Sequence, residues 1–207
     1  MRWVPMSLRC VRSFSHTCGG ETILDIGANI GYLTLLMAHK VGPAGRVIAF
    51  EPVPWVYDVL CENLRLNRCD QVQAECKAVA DVLGQGVMQS DLNNPLSFIG
   101  RLSERGDLTV PLVSIDHYAE TAGLERLDFV KIDVEGPEDA VIRGMTATLR
   151  KFRPVILIEV HANDGKESEG LQQLKAMGYK LMRVERVGLT PWDTQARGGH
   201  LVGVNMA

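Results

Sequence analysis

The chain lacks the cysteine spacing that builds metal ribbons and redox centres. Its five cysteines, Cys10, Cys18, Cys61, Cys69 and Cys76, include no C-x-x-C pair. A zinc ribbon or thioredoxin-type site is therefore not expected. An odd count without tight spacing reads as free thiols in a reducing compartment, so a cytoplasmic location is expected. No apolar run approaches the roughly 20 residues that span a bilayer. No long apolar stretch near the start resembles the core of a secretory signal. An excess of positive charge is missing too: the net charge is −3, which gives no footprint for a nucleic-acid partner. Internal repeats and low-complexity tracts are absent. What remains is 207 residues of ordinary globular composition, enough for one large domain. Residues 1–21 read as an N-terminal arm over a sheet edge. There Arg2, Arg9 and Arg12 appear with no acid before Glu21. Residues 22–207 read as a single domain.

From Thr22 onward strand-like and helix-like segments alternate. Thr22–Ile26 is a short apolar run ending in glycine. Leu33, Leu36, Met37 and Lys40 then recur at helical spacing until Gly42-Pro43. Arg46–Glu51 reads as strand two. Pro54 opens a helix with Val56, Val59, Leu60 and Leu64 on its buried face. Val72–Val79 reads as strand three. Between Asp81 and Asp116 glycines, asparagines and a proline break the pattern, which predicts hairpins or a loop insertion ending in a strand over Val110–Ile115. Phe129–Val134 and Pro154–Val160 are strands four and five, with a helix opened by Pro137 between them. A helix from about Glu169 precedes two final strands, Lys180–Val187 and His200–Met206. Their connection, with Pro191 and Trp192, reads as an antiparallel return loop. This alternation predicts an α/β fold with a doubly wound, mostly parallel sheet. Ligands of such sheets bind beyond the carboxyl ends of the strands, where the strand order switches.

The most informative segment lies at the end of strand one. Gly27-Ala28-Asn29-Ile30-Gly31 is a glycine loop leading straight into a helix, whose free N–H groups face it. Dinucleotide-binding domains also use such loops. Their fingerprint is G-x-G-x-x-G, whereas here Asn29 stands where the second glycine would meet a pyrophosphate. Asp25 shares a strand face with Gly27. A carboxylate there suits the ammonium of a methionyl group and would repel a pyrophosphate. Glu51, twenty residues past Gly31, ends strand two, where an acid accepts hydrogen bonds from ribose hydroxyls. The alternatives for Asp25 and Glu51 are a capping carboxylate and a solvated strand end.

The match extends beyond the loop. DIGANIGYLTLL (residues 25–36), RVIAFEPVP (46–54), VKIDVEGPEDAVIRGM (130–145) and RPVILIEVH (153–161) together resemble the FkbM-type methyltransferase family. The phrase Lys131-Ile132-Asp133-Val134-Glu135-Gly136 is its specific part. The resemblance implies a class I methyltransferase (Rossmann-like) fold, here expected as a seven-stranded sheet with an antiparallel last strand. It implies S-adenosylmethionine as cofactor, and methyl transfer, often to a hydroxyl oxygen of a sugar or small natural product. By position, Asp25, Gly27, Ala28, Asn29 and Gly31 fall on the family's cofactor loop and Glu51 on its ribose acid. Asp133 and Glu135 fall on its strand-four signature. The family usually carries a longer segment before strand one.

Methylating a hydroxyl needs an aligned oxygen and a group that takes its proton. Strand alternation puts Lys131 and Asp133 on one face, with Glu135 just past the end. Glu159 and His161 share a face at the end of strand five. With an unperturbed pKa of about 6.5, His161 is the candidate base. Asp133 is the candidate for positioning the acceptor. The bland alternatives are a Lys131–Asp133 ion pair, whose Cα atoms would lie about 6.6 Å apart, and a structural histidine. No metal is expected, since His161 suits magnesium poorly. Trp192 reads as packing ahead of a sugar-stacking role. A nicotinamide-dependent oxidoreductase and a non-catalytic cofactor-binding module are the competing readings. The expected partner is a small-molecule or glycan acceptor.

Overall fold

In the computed structural model, residues 19–90, 100–102, 106–134, 136–160, 168–185, 188–192 and 199–205 are described. Strand β1 (Thr22–Ile26) is followed by α1 (Tyr32–Val41), β2 (Arg46–Phe50), α2 (Pro54–Leu66) and β3 (Val72–Glu75). Next come β4 (Ala78–Val79), β5 (Gly84–Ser90), β6 (Gly100–Leu102), β7 (Leu108–Val113) and α3 (Ile115–Thr121). The chain then forms β8 (Phe129–Ile132), α4 (Glu138–Arg143), α5 (Thr146–Phe152), β9 (Val155–Val160) and α6 (Glu169–Ala176). It ends with β10 (Tyr179–Val184), β11 (Leu189–Pro191) and β12 (Gly199–Asn205).

The main sheet has the order β11-β10-β12-β9-β8-β1-β2-β3. β3, β2, β1, β8 and β9 run parallel, while β12 runs against both β9 and β10. The apolar runs explain the centre: all four β8 residues are buried, as are four of five in β1 and in β2. Strands this apolar need helices on both faces. After β3 the chain returns to the other side of β1, so the switch in strand order falls between β1 and β8.

Several expectations are refined. The sheet has eight strands, not seven, because β11 forms within the segment read as a return loop and pairs with β10. Strand three is broken at Cys76-Lys77. Its first half joins the main sheet, and its second half enters a separate four-stranded sheet, β4-β7-β5-β6. That second sheet is the structure of the irregular region, and its last strand stops at Val113. Ser114 leaves the strand because its side chain caps α3, accepting from the His117 N–H. The helix opened by Pro137 is two short helices. Gly144 separates them where the chain passes against the Ala80 carbonyl, with no room for a Cβ. Asp116 then caps α5, accepting from the backbone N–H groups of Ala147 (3.0 Å) and Thr148 (2.7 Å). Trp192 packs against the principal core, in keeping with the packing reading. Among the described residues no helix is long and apolar enough to cross a membrane, and Cys61, Cys69 and Cys76 are free thiols.

Candidate active site

The loop after β1 is shaped by glycines at two points. Gly27 has φ +79°, and a Cβ there would collide with the Asp133 carbonyl. Gly31 has φ +89° and precedes α1 in the left-handed conformation. Asn29, at φ +53°, is the side-chain-bearing residue best suited to that region. The loop folds over the end of β2: the N–H groups of Gly27 and Ala28 both donate to the Phe50 carbonyl (3.0 and 2.9 Å). From α2, the Asn63 side-chain amide donates to the Ile30 carbonyl at 2.7 Å.

Glu51 is fixed by the backbone on both sides. Its Oε2 accepts from the Asn29 N–H (2.9 Å) and its Oε1 from the Val53 N–H (3.0 Å). One acid therefore ties the glycine loop to the start of α2. Burial raises its pKa to about 7, and the two backbone N–H groups offset only part of that shift. Each carboxylate oxygen has a further lone pair, so the group can still accept from a diol. The expectation for Glu51 as a ribose acid fits this geometry.

Asp25 lies within the sheet, opposite Lys131. Its carboxylate is fully buried, with Oδ2 accepting from the Thr34 hydroxyl (2.6 Å) and Oδ1 lying 3.2 Å from Lys131 Nζ. The Lys131 contact is ionic, since Oδ1 takes no well-aligned hydrogen bond. Lys131 also approaches Asp133 Oδ2 at 3.3 Å and donates to the Gly27 carbonyl at 2.6 Å. Burial alone would pull the Lys131 ammonium down, but Asp25 and Asp133 outweigh it and hold it above its usual value. The ion pair that the sequence offered as the bland reading of Lys131 and Asp133 is thus present, with Asp25 as a third member.

Asp133 sits just beyond β8, its N–H donating to the Ile26 carbonyl (3.0 Å). Its side chain is 36% exposed, the outward member of the cluster. Burial raises its pKa; Lys131 opposes the shift and the neighbouring Glu159 on β9 adds to it. The register sets this neighbourhood, since Ile132 lies beside Ile158. Glu135 and His161, the other two candidate catalytic residues, lie outside the described residues. Sequence reasoning did not select Thr34, Asn63 or Lys131 as site residues. Lys131 carried one signal: a lysine inside an otherwise apolar central strand.

The second sheet flanks this end of the molecule. Met88 and Val110 pack in one cluster with Val53 and Val56, joined by half-buried Ile30 of the glycine loop and Trp55. The segment Lys77–Asp81 is partly occupied structurally. Lys77 pairs with Glu75 at 2.7 Å, and Asp81 with Arg143 at 2.8 Å.

The family model of the methyltransferase FkbM domain matches residues 25–181, which include every element of this site. The chain belongs to the FkbM methyltransferase family. It is accordingly an S-adenosylmethionine-dependent methyltransferase, and the nicotinamide reading is set aside. Among its relatives, the hexuronic acid methyltransferase AglP of Haloferax volcanii is 28% identical over 172 residues, covering 80% of this chain and 67% of that protein. The 31-O-demethyl-FK506 methyltransferase FkbM of Streptomyces tacrolimicus is 26% identical over 195 residues, covering 79% of this chain and 74% of that protein. The crystal structure of methyltransferase FkbM from Methylobacillus flagellatus has the same fold, with a TM-score of 0.63 at 17% identity. That match covers 97% of this chain and 48% of the solved one, so the FkbM-family chain spans about half of that structure. Fibrillarin from Aeropyrum pernix, solved with bound S-adenosylmethionine, shares the fold with a TM-score of 0.56 at 14% identity, over 95% of this chain and 74% of its own.

Proposed function

We propose that this FkbM-family domain methylates a hydroxyl oxygen on a sugar or small natural product. The observation that carries this reading is the partly exposed Asp133 carboxylate, tied through Lys131 to the Gly27 carbonyl. It stands at the switch between β1 and β8, where a bound cofactor and an acceptor would meet. Two relatives, a hexuronic acid methyltransferase and a 31-O-demethyl-FK506 methyltransferase, support this acceptor class.

The loop fits the cofactor. Gly27, Ala28, Asn29 and Gly31 present backbone with little side-chain bulk, and Glu51 retains acceptor capacity for the ribose diol. S-adenosylmethionine supplies an electrophilic methyl group on a cationic sulfur. Asp133 accepts a hydrogen bond from the acceptor hydroxyl and orients its lone pair along the line of displacement. The oxygen–methyl bond forms as the methyl–sulfur bond breaks, and that electron pair stays on sulfur. The hydroxyl proton leaves to a base, for which His161 is proposed, with Glu135 as a further candidate catalytic carboxylate. The second sheet, packed on Ile30 and Trp55, forms the nearby wall of the acceptor site. Asp25 serves from behind, as the buried partner of Lys131.

The test is transfer of labelled methyl from S-adenosylmethionine to hexuronate-containing oligosaccharides and to O-demethyl macrolides. A methyl ether survives mild alkali, whereas a methyl ester on a hexuronate carboxyl is hydrolysed. Alkali-stable label is expected. Alkali-labile label would replace the hydroxyl by a carboxylate as the acceptor, and no label with any acceptor would favour a non-catalytic binding module.

A further inference from the structure

Two carboxylates, Asp25 on β1 and Asp133 just beyond β8, converge on one ammonium. Lys131 Nζ lies 3.2 Å from Asp25 Oδ1, 3.3 Å from Asp133 Oδ2 and 2.6 Å from the Gly27 carbonyl oxygen. One N–H bond goes to the Gly27 carbonyl, and the two carboxylates face the same ammonium as ion-pair partners. The lysine side chain is 4% exposed and that of Asp25 0%, so water cannot replace a lost partner. Asp25 cannot turn away either, because Thr34 holds its other oxygen at 2.6 Å. The two carboxylates differ in one respect: Asp133 reaches solvent and Asp25 does not.

We propose that Lys131 is a positioning residue through which Asp25 and Asp133 compete for one positive charge, so that buried Asp25 sets the ionisation of exposed Asp133 while the same ammonium pins the Gly27 carbonyl. One cation thus faces both carboxylates, and Asp133 is the one an acceptor can touch. Among the described residues the other ionisable neighbours are Glu159 on β9, which opposes ionisation of Asp133, and Glu51 at the end of β2, which feels both Lys131 and Asp25. Neither changes in the comparisons below. The meaning of Asp133 for turnover rests on the proposed methyl transfer; the competition itself does not.

The competition makes two substitutions act in opposite directions. Removing the cation by Lys131→Met leaves Asp133 with burial and Glu159 alone, so its carboxyl should titrate at higher pH. Removing the competitor by Asp25→Asn leaves Lys131 to Asp133 alone, so its carboxyl should titrate at lower pH. Lys131→Arg keeps the charge and should stay near wild type. The readout is carbon-13 NMR of protein labelled at the aspartate side-chain carboxyl. The Asp133 signal is assigned by its loss in Asp133→Asn and followed across a pH titration without cofactor or acceptor. We expect the midpoint to rise by about one pH unit or more in Lys131→Met and to fall by about half a unit or more in Asp25→Asn. Asp25→Asn is close to isosteric, so it carries the test if Lys131→Met does not fold. An Asp133 midpoint that is unchanged, or that moves upward, in Asp25→Asn overturns the proposal: Lys131 would then be a structural tie. Because no methyl transfer is measured, failure of the acceptor assay and failure of this titration are separate outcomes.

Discussion

The two halves of the cofactor end are built from different material. At β1 and β2 the site is backbone: Glu51 is gripped by the N–H groups of Asn29 and Val53, and the loop hangs from the Phe50 carbonyl. At β8 and β9 it is side chain: Asp133 is held by Lys131, which it shares with Asp25, and opposed by Glu159. A backbone-built half tolerates change outside its glycines, because hydrogen bonds from the main chain survive most substitutions. A side-chain-built half has no such reserve, since each member is needed by another. The first suits a constant ligand, the second a reaction tuned to one acceptor.

The largest expected effect attacks the point where the halves touch. In Gly27→Ala a Cβ meets the Asp133 carbonyl and the backbone must hold a positive φ with a side chain. Left-handed strain alone costs roughly 1–3 kcal/mol, and the collision adds to it. Affinity for S-adenosylhomocysteine should fall by about 100-fold or more. Calorimetric titration checks this; binding within about three-fold of wild type would show that the loop does not seat the cofactor. Asp133→Asn should do the reverse. It should leave that affinity within about three-fold while lowering turnover by a hundred-fold or so, if positioning through a charged group is worth about 3 kcal/mol.

Glu51 separates the halves by pH. Its carboxyl titrates at about 7 in the cofactor-free protein, above its ordinary 4.5. A folded-state pKa raised above the unfolded one stabilises the fold fully below 4.5 and loses that contribution as pH climbs through 7. Ribose hydroxyls donate to the ionised form, so cofactor affinity should instead rise through this window, with a proton released on binding. Titrations at pH 6 and pH 8 in buffers of different ionisation enthalpy measure both. Glu51→Gln should bind about ten-fold or more weaker at pH 8, with little pH dependence between 6 and 8. Equal affinity for wild type at the two pH values would remove Glu51 from the ribose.

How much of this was legible follows the same division. Gly27, Asn29, Gly31 and Glu51 could be read from order along the chain, because a backbone-built site is a local pattern: strand, tight turn, helix, strand, acid. The strands β1, β2, β8 and β9 were equally plain, since buried parallel strands are continuous apolar runs. The Lys131 cluster was half legible. Alternation placed Lys131 beside Asp133, but the pairing with Asp25 needs the β1–β8 register, which sets Asp25 opposite Lys131 and lies over a hundred residues apart in sequence. The burial of Asp25 follows from that partner on another strand. The second sheet was legible only as hairpins and a closing strand; that β4 joins it beside β7, and that it packs on Val53 and Val56, depends on contacts between segments distant in the chain.

The smallest expected effect probes a side chain from α2 that props the glycine loop. Asn63 reaches from α2 to donate to the Ile30 carbonyl at 2.7 Å, across 33 residues of chain. Asn63→Ala leaves that carbonyl partly exposed to water, so the loss should be near one ordinary hydrogen bond, about 1 kcal/mol. Cofactor affinity should weaken by about five-fold, and thermal stability should fall by only a few degrees. The pH dependence assigned to Glu51 should persist unchanged, since the Asn29 and Val53 N–H groups still hold that carboxylate. If Asn63→Ala instead erased the pH dependence, the loop would depend on its side-chain prop as heavily as Asp133 depends on Lys131. The two halves would then be built alike.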